Sequence, residues 1–194
     1  MFTGIIKKIS SVEKVSQEGD SLFVAIKIPA GWKIRKGESV AVDGVCSTVM
    51  GISKGYFTVE YMPETIRKTT VENFIKGTRV NLEKSLRLDD LLDGHLVQGH
   101  VDTTGKITGI EKVQESKVIK IKIPAGFMRL VADKGSVTVN GTSLTVVATG
   151  KDWFSVSLVG YTLGNTNLGT LKVGDRVNVE TDVLAKYIDK LLRK

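Results

Sequence analysis

One stretch of this chain is written out twice. Residues 39–49 read SVAVDGVCSTV and residues 136–146 read SVTVNGTSLTV, 97 positions later. Held without gaps from Ser39/Ser136 to Glu83/Glu180, that offset gives 16 identical pairs in 45; unrelated chains of ordinary composition would match at about three. Shorter echoes flank it. IPAG at 28–31 returns at 123–126, and VEKV at 12–15 returns as IEKV at 110–113. A period this long does not build a solenoid, so each copy is expected to be a small domain. Two related domains imply two related pockets, which suits a protein that handles two copies of one ligand.

Division of the 194 residues leaves each copy roughly 90, enough to bury a core without disulfides or metals. A hydrophobic share of 41% excludes a disordered chain. The single cysteine, Cys46, has no internal partner, so nothing points to an oxidising compartment. The opening MFTGIIKKIS lacks the cationic-then-apolar pattern of a signal peptide, and no apolar run reaches the ~20 residues that cross a bilayer. The expected location is cytoplasmic, with no membrane partner. The net charge of +7 raises a nucleic-acid reading. The basic residues, however, are interleaved with acids, as in KSLRLDDLLDG, and only the tail KYIDKLLRK is locally dense. Solvated lysines explain that distribution, and no nucleic-acid partner is expected.

Strand periodicity runs through both copies. SLFVAIKIP, ESVAVDGV, YFTVEYM and RVNLEKS alternate apolar and polar positions, and VIKIKIP, SVTVNGTSLTVVA, WFSVSLV and RVNVETD repeat the set. Valine, isoleucine, threonine and aromatics fill these runs, and Asp-Gly, Asn-Gly and Lys-Gly pairs punctuate them. About six short strands per copy predict an all-β fold, a small closed barrel or a sandwich. Helical signals are few. Proline opens PETIRKTTVENF, which predicts a short helix after Met62. The segment EKSLRLDDLLDGH joins the halves, giving domains at 1–90 and 91–183. The remaining 184–194 reads as an amphipathic helix with Leu184, Ile188, Leu191 and Leu192 on one face. That stripe must bury against its own barrel or against neighbouring subunits.

Cys46, His95 and His100 are the side chains that titrate near neutrality. Where copy one has Cys46 with Thr48, copy two has Ser143 with Thr145, so one backbone presents a thiol in one pocket and a hydroxyl in the other. A lone cysteine is most often an inert buried hydrophobe, and a histidine chosen blindly is more often structural than catalytic. His95 and His100, in GHLVQGHVD, are five apart; on a strand they face opposite sides, which argues against one shared metal. Other signals read blandly. The 20 glycines form no phosphate-loop pattern and mark turns. Trp32 and Trp153 read as core or rim aromatics, Glu83 and Glu180 as strand-end structure, and Asp182 as a carboxylate that is either solvated or facing a ligand.

Taken together, MFTGII, SVAVDGVCSTV, PETIRKTT, GHLVQGHVD, SVTVNGTSLTV and VNVETDVLAKYI resemble the two-barrel, lumazine-binding riboflavin synthase family, over residues 1 to about 188. The resemblance implies two tandem six-stranded β-barrels plus a C-terminal α-helix. It implies dismutation of two molecules of 6,7-dimethyl-8-ribityllumazine by four-carbon transfer, giving riboflavin and 5-amino-6-ribitylaminouracil, with no cofactor and no metal. It further implies a homotrimer joined through C-terminal helices, each active site lying between the N-barrel of one subunit and the C-barrel of another. Its ligand contacts fall, in the N-barrel, on Gly4, Ile5 and Ile6, on Cys46, Ser47 and Thr48, on Glu60, Tyr61, Met62, Pro63, Glu64 and Thr65, and on Gly99, His100 and Val101. In the C-barrel they fall on Lys134, on Ser143, Leu144 and Thr145, and on Leu158, Val159, Gly160, Tyr161, Thr162 and Leu163. The catalytic candidates are Cys46, His100, Ser143 and Asp182: His100 as acid or base, Cys46 adding to or protonating the ring, Ser143 and Asp182 orienting the partner molecule.

Two departures from the family pattern stand out. Ser47 replaces a leucine that Leu144 keeps in copy two, and Gly160-Tyr161-Thr162 stands where Pro63-Glu64-Thr65 is intact in copy one; glycine for proline is expected to loosen that turn. The rival function is a non-catalytic holder of lumazine or flavin. Retention of Cys46, His95, His100, Thr48 and Thr145 favours the enzyme, because a pure binder has no chemical need of them.

Overall fold

Repetition in the sequence becomes repetition in space. The computed structural model describes residues 1–193 and contains two closed six-stranded barrels; Lys194, the last residue of the expected helical segment, lies outside the described residues. The first barrel comprises β1 (Lys8–Glu18), β2 (Ser21–Lys27), β3 (Ser39–Val42), β4 (Val45–Ser53), β5 (Tyr56–Tyr61) and β6 (Arg79–Lys84). The second comprises β7 (Thr103–Val113), β8 (Ser116–Lys122), β9 (Ser136–Val139), β10 (Thr142–Thr149), β11 (Trp153–Leu158) and β12 (Arg176–Thr181). The order β1-β2-β5-β4-β3-β6 recurs strand for strand in the second barrel, and every pairing is antiparallel.

Period-two patterning sends Val24, Ile26, Phe57, Val59, Val80 and Leu82 into the first barrel, and Ile119, Ile121, Phe154, Val156, Val177 and Val179 into the second. The register slips at Val49/Gly51 on β4 and at Val146/Ala148 on β10, and again on β1 and β7. Such bulges bend strands, which is what closure over so few strands requires. Closure leaves no sheet edge to be covered.

Equivalent turns hold the barrels together. β3 runs into β4 through Asp43-Gly44, and β9 into β10 through Asn140-Gly141, all four residues at positive φ as a two-residue hairpin demands. The two turns meet back to back: a Cβ on Gly44 would lie 2.6 Å from the Gly141 amide nitrogen. Around them a near-symmetric network crosses the interface. Asn81 Nδ2 donates to the Asn140 carbonyl and Asn178 Nδ2 to the Asp43 carbonyl, each at 2.9 Å. The Asn81 amide donates to Asp43 Oδ1 and the Asn178 amide to Asn140 Oδ1. Asn167 breaks the symmetry, bridging Asp43, Asn81 and Asn140 with one side chain.

Helix α1 (Pro63–Lys68) follows β5 and α2 (Gly160–Asn165) follows β11. Both have the same length, so glycine in place of proline does not prevent the helix from forming. The C-terminal α3 (Val183–Leu192) starts on an Asp182 cap, whose Oδ1 accepts from the Leu184 amide at 2.9 Å. Its polar side docks: Lys186 pairs with Asp102 at 2.8 Å and Asp189 with Arg129 at 3.1 Å. Leu184, Ile188, Leu191 and Leu192 are left exposed on the chain's own surface. The apolar stripe is therefore not covered by the helix's own barrel. No helix among the described residues is long and apolar enough to cross a membrane.

Burial drives the Asp43 carboxyl up to about 7, against the lowering effect of its bonds to the Asn81 amide and the Asn167 side chain. A carboxyl whose folded pKa is raised favours folding below its unfolded value, near 3.9, and that advantage is lost as pH rises toward 7. Copy two uses neutral Asn140 at the same place. Asp43→Asn is therefore expected to stabilise the fold increasingly between pH 5 and pH 8, by at most about 4 kcal/mol at 1.36 kcal/mol per pKa unit. Urea titrations at the two pH values measure it; an advantage that does not grow with pH contradicts it.

Candidate active site

Inside-outside alternation on β4 fixes which residues can meet a ligand. Val45, Ser47 and Val49 point into the barrel, so Cys46 and Thr48 stand on its outer wall. On β10, Thr142, Leu144 and Val146 are buried while Ser143 and Thr145 face outward. Each cup is thus built outside a barrel, on the first turn of β4 or β10. α1 leans over the first cup and α2 follows β11 at the equivalent place in the second.

The floor of each cup is supplied by the leading segment of the other copy. The Cys46 amide donates to the Gly99 carbonyl at 2.9 Å, and the Ser143 amide to the Gly4 carbonyl at 2.8 Å. The two leaders also pair with each other, Phe2 with Val97 through reciprocal bonds of 2.7 and 3.1 Å. A Cβ on Gly99 would sit 2.7 Å from Cys46 Cβ, and one on Gly4 would sit 2.6 Å from Ser143 Cβ. Both glycines have positive φ as well, so no other residue lets the backbone approach so closely. Buried carboxylates hold the leaders down: Glu83 accepts from the Thr3 and Gly4 amides, and Glu180 from the Gln98 and Gly99 amides, at 2.7 to 3.0 Å. Burial raises the pKa of both, and those amide bonds oppose the rise. These acids are positioning groups with equivalent roles, one for each leader.

The first cup is a cavity of about 250 Å³ lined by Cys46, Glu64, Thr65, Gly99, His100 and Val101, with Lys68 and Thr69 from the end of α1. His100 is exposed, and among the described residues its side chain makes no hydrogen bond. The second cup has a different polar content. His95 Nδ1 lies 2.7 Å from Ser143 Oγ, and its Nε2 lies 3.2 Å from Thr138 Oγ1. Burial holds the His95 pKa below the ordinary imidazole value, with the Asp182 carboxylate pulling the other way. Behind that cup, inside the barrel, the Thr142 hydroxyl at the place of Val45 is buried with no hydrogen-bond partner among the described residues. Lys134 sits at φ 64 where copy one has Gly37, its amide donating to the Val146 carbonyl. Non-glycine residues in this region are strained, and such strain concentrates at ligand sites.

The sequence expectations distribute unevenly over this geometry. Cys46, Glu64, Thr65, Gly99, His100 and Val101 meet at one cup, with Thr48 two residues further along the outer wall of β4; Ser143 and Thr145 lie on β10, and Lys134, in the turn before β9, is tied to β10 by its bond to the Val146 carbonyl. Gly4 departs from its expected place in the first barrel: it lies on Ser143, and Ile5 and Ile6 continue from it. The histidines are not on a strand. Both lie in the irregular connection between β6 and β7, which distributes them to different cups. Ser47, Tyr61, Leu144 and Leu158 are buried among the barrel interiors and face the cups only with backbone. Met62, Val159 and Tyr161 are exposed at the starts of α1 and α2, Glu60 is half-buried on β5, and Pro63, Gly160, Thr162 and Leu163 belong to the short helices. No sequence motif marks His95 as the partner of Ser143 or puts Lys68 and Thr69 in the cavity wall. For the last two the i,i+4 spacing from Glu64 and Thr65 was the available signal.

A lumazine binding domain model matches residues 3–85 and again 98–182. Riboflavin synthase of Mycobacterium tuberculosis (strain ATCC 25618 / H37Rv) is 42% identical over 202 residues, covering 100% of this chain and 98% of its own length. Riboflavin synthase of Bacillus subtilis (strain 168) is 35% identical over 195 residues, covering 100% of this chain and 91% of its own. The chain belongs to the riboflavin synthase family. Solved structures agree in fold: LumP complexed with riboflavin superposes with a TM-score of 0.87 at 27% identity, covering 93% of this chain and 99% of that one. LumP complexed with 6,7-dimethyl-8-(1'-D-ribityl) lumazine gives 0.85 at 26%, with the same coverage.

The departure from the family's leucine at Ser47 is resolved inside the barrel. Ser47 Oγ lies 3.0 Å from Tyr61 Oη and donates to the Val45 carbonyl at 2.9 Å. The equivalent pair in copy two is Leu144 and Leu158, so a small and a large residue replace two of middle size. Burial pushes the Tyr61 phenol pKa upward, keeping it neutral. Ser47→Leu alone is expected to overpack the first barrel and cost about 1–3 kcal/mol. Ser47→Leu with Tyr61→Leu rebuilds the copy-two pair and should recover most of that loss. Equal destabilisation of single and double variants in thermal melts would show that the two sites are not coupled.

Proposed function

We propose that this protein is a riboflavin synthase that binds one 6,7-dimethyl-8-ribityllumazine in each type of cup and transfers four carbons between them. The observation that carries the proposal is the pair of cups itself: one backbone frame, repeated, with a thiol and a free imidazole in one copy and a histidine-supported hydroxyl in the other. Related pockets fit one substrate type, and unlike side chains fit two unlike roles within one reaction.

The chemistry asked of the protein is modest. The C7 methyl of one ring must lose a proton, and the other ring must accept the resulting carbon nucleophile; each ring delocalises charge by itself. Holding both in register supplies on the order of 7–11 kcal/mol of the barrier. In this reading the Thr48 and Thr145 hydroxyls bind the pyrimidinedione edge, with backbone at Ser47 and Leu144 beside them. His100 stands free in the first cup to move a proton, and Cys46 faces the same space as nucleophile or acid. Asp182 already caps α3 through Oδ1, so its role toward substrate falls to its second oxygen.

The same proposal includes a homotrimer and a cytoplasmic location. The docked polar side and uncovered apolar side of α3 support the trimer, since a stripe of four large apolar residues is what an inter-subunit helix contact would use. The solved structures of LumP with lumazine and with flavins keep the rival alive, a protein that holds these ligands without converting them. Cys46, His95 and His100 in two cups favour the enzyme.

Mixing the protein with the lumazine is expected to produce the riboflavin absorption band, and His100→Ala and Cys46→Ser each to lower turnover by at least about 100-fold, the low side of acid–base contributions. Stable binding with no new band would select the non-catalytic holder, and unaffected variants would remove these residues from the mechanism. Ile188→Lys with Leu191→Lys should convert a trimer to monomer in light scattering and abolish turnover while each barrel stays folded. A wild-type protein already monomeric at working concentration overturns the trimer.

A further inference from the structure

The cups share a backbone but differ in one hydrogen-bond chain, and only the second has it. His95 reaches Ser143 because the connection between the barrels folds back over the serine at Gly94. A Cβ on Gly94 would lie 2.1 Å from the Thr3 carbonyl oxygen and 3.1 Å from Ser143 Oγ. The next amide, that of His95, donates to the same Thr3 carbonyl at 3.2 Å. The leader of copy one thus anchors the histidine in copy two's cup. No histidine holds Cys46 in this way; His100 lines that cup with its ring unbonded among the described residues.

Hydrogen-bond accounting fixes the ring's tautomer. Thr138 is buried on β9, and its hydroxyl hydrogen needs an acceptor. Among the described residues the hydrogen bond of that hydroxyl is to His95 Nε2, at 3.2 Å. Thr138 therefore donates, Nε2 is the bare nitrogen, and the ring proton sits on Nδ1. From there it is donated to Ser143 Oγ at 2.7 Å. With one lone pair of Oγ engaged by His95, the serine's own hydrogen cannot point at the ring and is directed outward from β10. The opposite tautomer strands the Thr138 hydrogen in a buried site, a cost of roughly 1–3 kcal/mol.

We propose that His95 is the positioning residue of the second cup: through Nδ1–H it locks Ser143 as a hydrogen-bond donor, which selects a ring carbonyl or unprotonated ring nitrogen of the bound lumazine. This rests on the lumazine-converting function proposed above and extends it to a part of the molecule outside the strands. A donor held in place before reaction favours an acceptor on which negative charge collects as the ring is deprotonated or attacked, and it needs no reorganisation at that moment. The Thr138–His95–Ser143 chain thus makes the second cup polar in a fixed sense, whereas the first cup keeps a mobile imidazole.

The experiment compares His95→Ala, His95→Asn and Ser143→Ala, alone and with His95→Ala combined with Ser143→Ala. Each is assayed for lumazine turnover, for affinity by lumazine fluorescence titration, and for melting temperature. Asparagine places an amide N–H near the position of Nδ1 and can still donate to Ser143. His95→Ala is expected to lower kcat by about 10- to 100-fold, the range for removing a group that orients a working side chain. His95→Asn should recover most of it, and His95→Ala should cost nothing further once Ser143 is alanine. Additive losses, or a His95→Asn as poor as His95→Ala, overturn the proposal. So does a fall in melting temperature large enough to account for the lost turnover. If the wild-type protein binds lumazine without converting it, the function proposed above fails, and the same cycle in lumazine affinity still decides the role of His95.

Discussion

Everything in this molecule hangs on two glycine turns pressed against each other. Gly44 and Gly141 meet with their backbones because neither has a side chain to separate them, and around that contact the amides of Asn81 and Asn178 reach across to the opposite turn. A buried polar network of this kind rigidifies a unique arrangement only when every member is satisfied. Here the asparagines are satisfied by backbone from the other copy, which gives the interface its register. That register places each leading segment over the other barrel, and the cups exist only because of it.

Symmetry of backbone and asymmetry of side chain divide the labour. The repeated parts, such as glycine leaders, glutamate clamps and outward β4 and β10 positions, make two equal receptacles. The differing parts are few and chemical: Cys46 against Ser143, Gly37 against Lys134, Thr70 against Asn167, a free histidine against a bonded one. The first barrel even tolerates a different core pair, Ser47 with Tyr61, since a small residue faces a large one and the two hydroxyls are hydrogen-bonded to each other. Function can therefore diverge between the halves at no cost to the frame.

Much of the fold was legible beforehand because it is written in period two and in turn dipeptides. Alternation marked the strands, Asp43-Gly44 and Asn140-Gly141 marked the hairpins, and Pro63 marked α1. The exchange of leaders was not legible: residues 1–7 and 94–102 have no periodicity, and their placement depends on contacts roughly 50 to 140 residues distant, such as Gly99 with Cys46, Glu83 with Thr3 and Ser143 with Gly4. The same gap hid the division of the histidines, since strand geometry does not apply to a connection outside the sheets. Candidate site residues were recognisable from the motifs, but whether a motif residue faces cup or core follows from strand phase. Phase separated Cys46 from Ser47 and Ser143 from Leu144. The helix α3 was readable as amphipathic, whereas which side it buries is set by Lys186 and Asp189 finding Asp102 and Arg129.

Reciprocal exchange of leaders has an evolutionary corollary. A single-copy ancestor with this architecture could not have finished a receptacle alone; two molecules would have had to lend each other their first residues in an isologous dimer. Such a protein assembles in proportion to the square of its abundance and falls apart when scarce. Joining the genes end to end turned that encounter into an intramolecular event at high effective concentration. Once joined, the two receptacles were no longer obliged to be the same, and specialisation of one against the other became possible for the first time.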